Sequence, residues 1–224
     1  MCGRYTLTRP EAELVERFEI VLAGSHPLAL TPRYNIAPKQ PVLAIVRAAS
    51  ARVPSLYRWG LIPPWAKDST PGPINARSET AAGNAMFRKA MRQQRCVIPA
   101  DGFYEWRKDE SGKTPIRFTL NNGGVFALAG LYEYGPANAE GYREASVCIL
   151  TTRANSLVAP VHDRMPVILR RKLEDLWLDP DVTDPAALAP AFEPYPVEAM
   201  RAYEVSRLVN NPRNDGVACV QPVA

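Results

Sequence analysis

No apolar run in the 224-residue chain approaches the ~18 residues needed to cross a bilayer, and the opening Met1-Cys2-Gly3-Arg4-Tyr5 lacks the apolar stretch of a secretory signal. A soluble, cytoplasmic protein with no membrane partner is the expectation. Histidine is scarce, limited to His26 and His162, and the four cysteines (Cys2, Cys96, Cys148, Cys219) contain no Cys-x-x-Cys pair. Zinc-site spacing is therefore missing, and no metal is expected. Repeats, low-complexity tracts and Gly/Ser linkers are absent too, which predicts a single domain over residues 1–224. Neither charge sign dominates: 27 Lys+Arg face 23 Asp+Glu, a net +4 that is weak support for a polyanion partner.

Proline is plentiful, 22 residues, about twice the usual ~5%. That frequency excludes coiled coils and helical arrays and predicts short strands, turns and extended segments. At 46% hydrophobic the chain can bury a substantial core. Thr8-Arg9-Pro10-Glu11 reads as a capping box opening a helix over 9–23, and Ser78 as the cap of a helix over 79–92. Strands are expected over 42–46, 56–61, 104–106, 116–120, 125–131, 146–151, 165–169 and 197–205, and short helices over 171–178 and 185–192. Asn121-Asn122-Gly123-Gly124 looks like a hairpin turn between 116–120 and 125–131. These elements predict an α+β fold with an antiparallel, barrel-like sheet core flanked by short helices. Cys96 and Cys148, in apolar strand-like runs, read as buried thiols.

The local charge is less even than the total. Residues 77–108 hold seven basic residues against three acidic ones, and 21 of the 27 cations are Arg, whose planar fork suits phosphate oxygens. A GC-rich coding sequence would produce the same Arg bias. Cys2 offers distinctive chemistry, because trimming of Met1 would leave a free α-amine beside its thiol. Such an amine has a reference pKa of ~7.7–8.0 and is a ready nucleophile for aldehydes, after which the thiol can close a thiazolidine ring. Three further segments carry polar groups that a plain core does not need. Asn75 and Arg77 follow a loop over 62–76 with four prolines, Glu105 lies between aromatic residues, and His162 stands beside Asp163 and Arg164. Each has a plain structural reading as well: a turn at Asn75, a Glu105–Arg107 pair, a satisfied core histidine. Trp59, Trp65 and Trp106 read more readily as core residues than as stacking platforms, with Trp65 the best placed for exposure.

Taken in order, Met1-Cys2-Gly3-Arg4-Tyr5, Tyr34-Asn35-Ile36-Ala37-Pro38, Trp59-Gly60-Leu61, Asn75-Ala76-Arg77, Cys96 to Trp106, His162-Asp163-Arg164-Met165-Pro166 and Val209-Asn210-Asn211-Pro212 resemble the SRAP family of abasic-site processing proteins nearly end to end. The resemblance implies a covalent crosslink between Cys2 and the ring-opened aldehyde of an abasic site in single-stranded DNA. It further implies an associated strand-cleaving lyase activity and removal of Met1, by the chain itself or by a separate aminopeptidase. Cys2, Asn75, Glu105 and His162 correspond to the catalytic residues, and Arg4, Arg77, Arg164, Trp65 and Trp106 to the DNA groove, in a monomer without metal or organic cofactor. Pro63-Pro64 before Trp65 departs from the family pattern. Two rival functions remain: an amide hydrolase with Cys2 as N-terminal nucleophile, and a non-covalent single-strand binder in which Cys2 is incidental.

Overall fold

A computed structural model describes residues 2–22, 30–110 and 112–223. Met1, His26 and the last residue of the expected first helix, Ala23, lie outside them. Five strands close on themselves: β3 (Pro41–Ala48), β4 (Ala51–Trp59), β6 (Arg95–Ala100), β9 (Phe126–Ala137) and β10 (Arg143–Arg153). β3 pairs with β4 and β6, β6 with β9, and β9 with β10, all antiparallel, while β10 returns to β4 through a parallel seam at Ser146↔Arg58 and Val147↔Trp59. The expected antiparallel barrel is present, with that one parallel seam as its exception. Val42–Val46 and all of β6 are buried, as continuous apolar runs must be when both faces of a sheet are covered. Gly130 sits opposite Cys96, where an added Cβ would come within 2.7 Å of Cys96 Sγ and 3.0 Å of an Ile98 methyl. Gly130→Ala is accordingly expected to cost ~1–3 kcal/mol, read as a Tm lower by roughly 2–12 °C in thermal melts.

A second sheet leans on the barrel. It comprises β1 (Tyr5–Leu7), β2 (Arg33–Ile36), β7 (Gly102–Asp109), β8 (Gly112–Leu120) and β13 (Met200–Glu204), in the order β13-β8-β7-β1-β2. The chain passes from barrel to sheet at Asp101 and returns after Leu120. The remaining strands, β5 (Asn75–Arg77), β11 (Arg164–Pro166) and β12 (Ile168–Leu169), pair with β10 or β9. The helices α1 (Glu11–Phe18), α2 (Ser78–Ala81), α3 (Arg88–Gln93) and α4 (Glu174–Leu178) are short.

Several local expectations are corrected. The strands around Asn121–Gly124 exist but do not form a hairpin: β8 pairs with β7 and β13, and β9 with strands of the barrel. Both sides of β8 are occupied, so the turn, closed by the Gly124 amide on Asn122 Oδ1 (2.9 Å), carries the chain between sheets. The true hairpin is β7–β8, joined at Asp109↔Gly112. Thr8 does not cap α1, because its amide (2.8 Å) and hydroxyl both donate to the Asp101 carboxylate; Pro10 occupies the cap and Glu19, in left-handed backbone (φ 53°), ends the helix early. The helix over 79–92 is broken into α2 and α3 at Gly83-Asn84, where the Met86 amide donates to Asn84 Oδ1 (2.9 Å), a side-chain bond that competes with the helical one. Ser78 starts α2 rather than capping it. Of the late strand over 197–205, the first three residues form a 3-10 turn.

Candidate active site

The Pro-rich loop after β4 folds back on itself: the Leu61 amide donates to Pro73 O (3.0 Å) and Trp59 Nε1 to Ile74 O (2.9 Å). Gly72 is required there, since a Cβ would lie 2.4 Å from the Leu61 carbonyl. The loop thereby delivers β5 parallel to β10, with Asn75 opposite Ile149. From this position Asn75 Nδ2 donates to the Cys2 carbonyl at 2.9 Å. Asn75 Oδ1 is buried with no hydrogen-bond partner among the described residues. A buried acceptor left open beside Cys2 is a place for a donor from a ligand.

Cys2 is wholly buried. Its neighbour Arg4 accepts the Tyr104 amide at the carbonyl (3.0 Å), so the segment before β1 runs along β7 beside Glu105. Burial, followed by the nearby Glu105 charge, pushes the Cys2 thiol far above its ordinary value, and it stays protonated at neutral pH. Burial likewise pushes the Glu105 carboxyl up to about 7, with the Asp163 carboxylate adding in the same direction. A carboxyl half-ionised at pH 7 can both give and take a proton.

His162, between β10 and β11, accepts the Arg164 amide at Nδ1 (2.9 Å). Desolvation lowers its pKa against the opposing pull of Asp163, whose Oδ1 lies 2.9 Å from the same nitrogen but on a largely exposed side chain. The amide proton is fixed by the backbone, so we assign the neutral ring with its own proton on Nε2. Glu105 and His162 line one cavity of about 450 Å³ together with Trp106, Lys108, Lys113 and Asn210.

The other expected contact residues have distinct surroundings. Arg4 donates to Asn35 Oδ1 (2.8 Å) and Val209 O (2.7 Å), and its guanidinium lies 6.0 Å from the Trp106 ring centroid. Trp106 Nε1 donates to Asn210 Oδ1 (2.7 Å). Arg164 is held bidentately by Glu79 (2.6 and 2.8 Å) and donates to Thr151 O (2.5 Å). Arg77 is exposed, and Trp65 stands 65% exposed on its loop. Arg107 reaches Glu204 at 3.3 Å. Sequence reasoning missed Lys108, Lys113 and Asn210; the signal available for the lysines was their symmetric placement about the Asp109–Gly112 turn. Among the described residues no group of three or more His, Cys, Asp or Glu could hold a metal ion, and no helix is long and apolar enough to cross a membrane.

Residues 1–212 match the family model described as SOS response associated peptidase (SRAP). The chain belongs to the SRAP family. It is similar to the abasic site processing protein YoqW of Bacillus subtilis, 43% identical over 227 residues and covering 99% of each chain. It is also similar to the abasic site processing protein YedK of Escherichia coli, 29% identical over the full length of both. A solved protein of Bacteroides thetaiotaomicron shares the SRAP chain's fold over the whole of both chains, with a TM-score of 0.87 at 24% identity.

Proposed function

We propose that this protein processes abasic sites in single-stranded DNA by forming a covalent thiazolidine crosslink through Cys2. The observation that carries the reading is the convergence on Cys2: Asn75 grips its carbonyl, and Glu105, poised near neutrality, acts on its thiol and opens onto the cavity. Hydrolytic removal of Met1, by the chain itself or by an aminopeptidase, first frees the α-amine. The amine attacks C1′ of the ring-opened sugar, and loss of water from the carbinolamine gives an imine. The Cys2 S–H then adds across the C=N bond, forming C–S and leaving the proton on nitrogen. A thiol kept protonated by burial favours this order, amine first, over a hydrolase that needs a thiolate at the outset.

Asn75 Oδ1 accepts from the incoming amine or a sugar hydroxyl. Protonated Glu105 assists ring opening and dehydration, and His162 supplies Nε2–H to the sugar. The imine also acidifies the C2′ proton, so β-elimination of the 3′ phosphate, a lyase reaction, competes with ring closure. Arg4, Arg77, Arg164, Trp65 and Trp106 carry the strand, within one domain acting as a cytoplasmic monomer.

The test is incubation with a single strand containing one abasic site, followed by denaturing electrophoresis. A shifted band that survives heating is expected, absent with undamaged DNA and with Cys2→Ala. A crosslink to undamaged DNA, or none to the abasic strand, overturns the reading. Retained salt-sensitive binding without any crosslink would support the non-covalent binder.

A further inference from the structure

The β7–β8 register is Trp106↔Pro115, Arg107↔Thr114 and Lys108↔Lys113. Side chains on a strand alternate, so Trp106, Lys108 and Lys113 share one face of the hairpin, while Arg107 and the buried Thr114 take the other. Directly opposed residues of this kind have Cβ atoms ~4.5–5.5 Å apart, and like charges there are destabilising. Both lysines are exposed, and among the described residues neither ammonium has a carboxylate partner. Other cations of the chain differ: Arg107 pairs with Glu204, Arg164 with Glu79 and Arg33 with Asp215. Lys108 and Lys113 line the same 450 Å³ cavity as Glu105 and His162. Glu105, half-protonated at neutral pH, offsets them only in part.

We infer that Lys108 and Lys113 form a clamp for one backbone phosphate of the strand adjoining the reacting sugar, two residues along β7 from the Trp106 platform. The inference rests on the single-stranded DNA reading above and adds a phosphate subsite to it. An anionic oxygen between the two ammonium groups removes their mutual repulsion. That gain is available only in the complex, so the clamp favours a phosphate at one point over a uniformly spread polyanion. Trp106 is held by Asn210 and Arg4, and the strand is thereby fixed at two points, an indole and a phosphate.

The test uses the full chain and a single-stranded oligonucleotide with one tetrahydrofuran site, an abasic analogue that fixes the register but has no aldehyde to crosslink, with binding followed by fluorescence anisotropy across a salt series. For the Lys108→Ala/Lys113→Ala double variant, affinity is expected to fall about tenfold, and the slope of log K against log[salt] to become shallower by ~0.7, the value for one phosphate on a single strand. The Lys108→Arg/Lys113→Arg variant keeps the wild-type slope. Oligonucleotides carrying one uncharged methylphosphonate at successive linkages locate the phosphate. Wild type is expected to weaken at one linkage, and the double Ala variant to be indifferent there. Unchanged affinity and slope in the double Ala variant, equal sensitivity at every linkage, or no binding of the strand by wild type overturns the clamp. Crosslinking of the abasic strand by wild type is scored separately: a crosslink with an unchanged slope defeats the clamp alone, and a changed slope without a crosslink defeats the covalent reading alone.

Discussion

Glu105→Gln is expected to slow crosslinking to an abasic single strand by ~10²–10⁴-fold, the usual contribution of a positioned acid or base, while making the fold more stable above pH 7. The two effects have one cause. Glu105 is 4% exposed and its carboxyl titrates at about 7, against ~4.3 in an unfolded chain. Between those values the folded protein keeps a proton that the unfolded chain has released. A raised carboxyl pKa therefore gives stability that is complete below ~4.3, declines as pH rises, and is gone once pH passes about 7. At 1.36 kcal/mol per pK unit the swing is of the order of 3–4 kcal/mol, and Gln, which never ionises, is free of it. Melting curves at pH 5 and pH 8 should show the wild type losing ground to the variant at the higher pH. If Glu105→Gln instead melts earlier at pH 8, in step with its lost rate, Glu105 is a structural residue.

The rate profile sharpens the same point. Imine formation needs the unprotonated Cys2 amine, which becomes available through ~7.7–8.0, and dehydration needs the protonated Glu105, which disappears above about 7. The product is a bell with its maximum between the two values. Glu105→Gln should retain only the rising limb. A bell with both limbs in the variant would place the proton donor elsewhere, with His162 the next group lining the cavity.

The residues that converge here were legible for unequal reasons. Cys2 stood out through its position, and Asn75 and His162 through the company of Arg, Asp and Pro in loops that a core would not need. The barrel was visible because Val42–Val46 and Cys96–Pro99 are continuous apolar runs, which only doubly covered strands tolerate. Pairing partners were not visible. Asn121–Gly124 has hairpin chemistry, yet its flanking strands belong to different sheets, because local turn preference carries no information about which edges are already occupied. Thr8 likewise has the side chain of a cap, but a buried carboxylate 93 residues away along the chain binds it instead. Lys108 and Lys113 look like solvated charges until the register sets them face to face over the cavity.

That distant carboxylate, Asp101, carries the second large effect. Asp101→Ala should lower stability by ~3–5 kcal/mol, the cost of breaking a buried pair from one side, which for a chain of this size is roughly 6–20 °C in Tm. Asp101 is 4% exposed at the crossing from barrel to second sheet, where it accepts from Thr6 Oγ1 (2.5 Å), the Thr8 amide (2.8 Å) and Arg117 Nη2 (3.4 Å). Arg117, about 10% exposed, would be left without its carboxylate. Gly102 belongs to the same device, since a Cβ there would come within 2.7 Å of Arg117 Nε. Thr6 and Thr8 lie on β1 and just beyond it, so this network fastens the strand whose leading end presents Cys2. Asp101→Asn keeps an acceptor for the threonines but loses the charge, and should fall between wild type and Asp101→Ala. Measured well below its lowered Tm, Asp101→Asn should crosslink at a rate close to wild type. A loss of rate there at intact fold would mean that Asp101 acts on the Cys2 chemistry itself rather than on the strand that holds it.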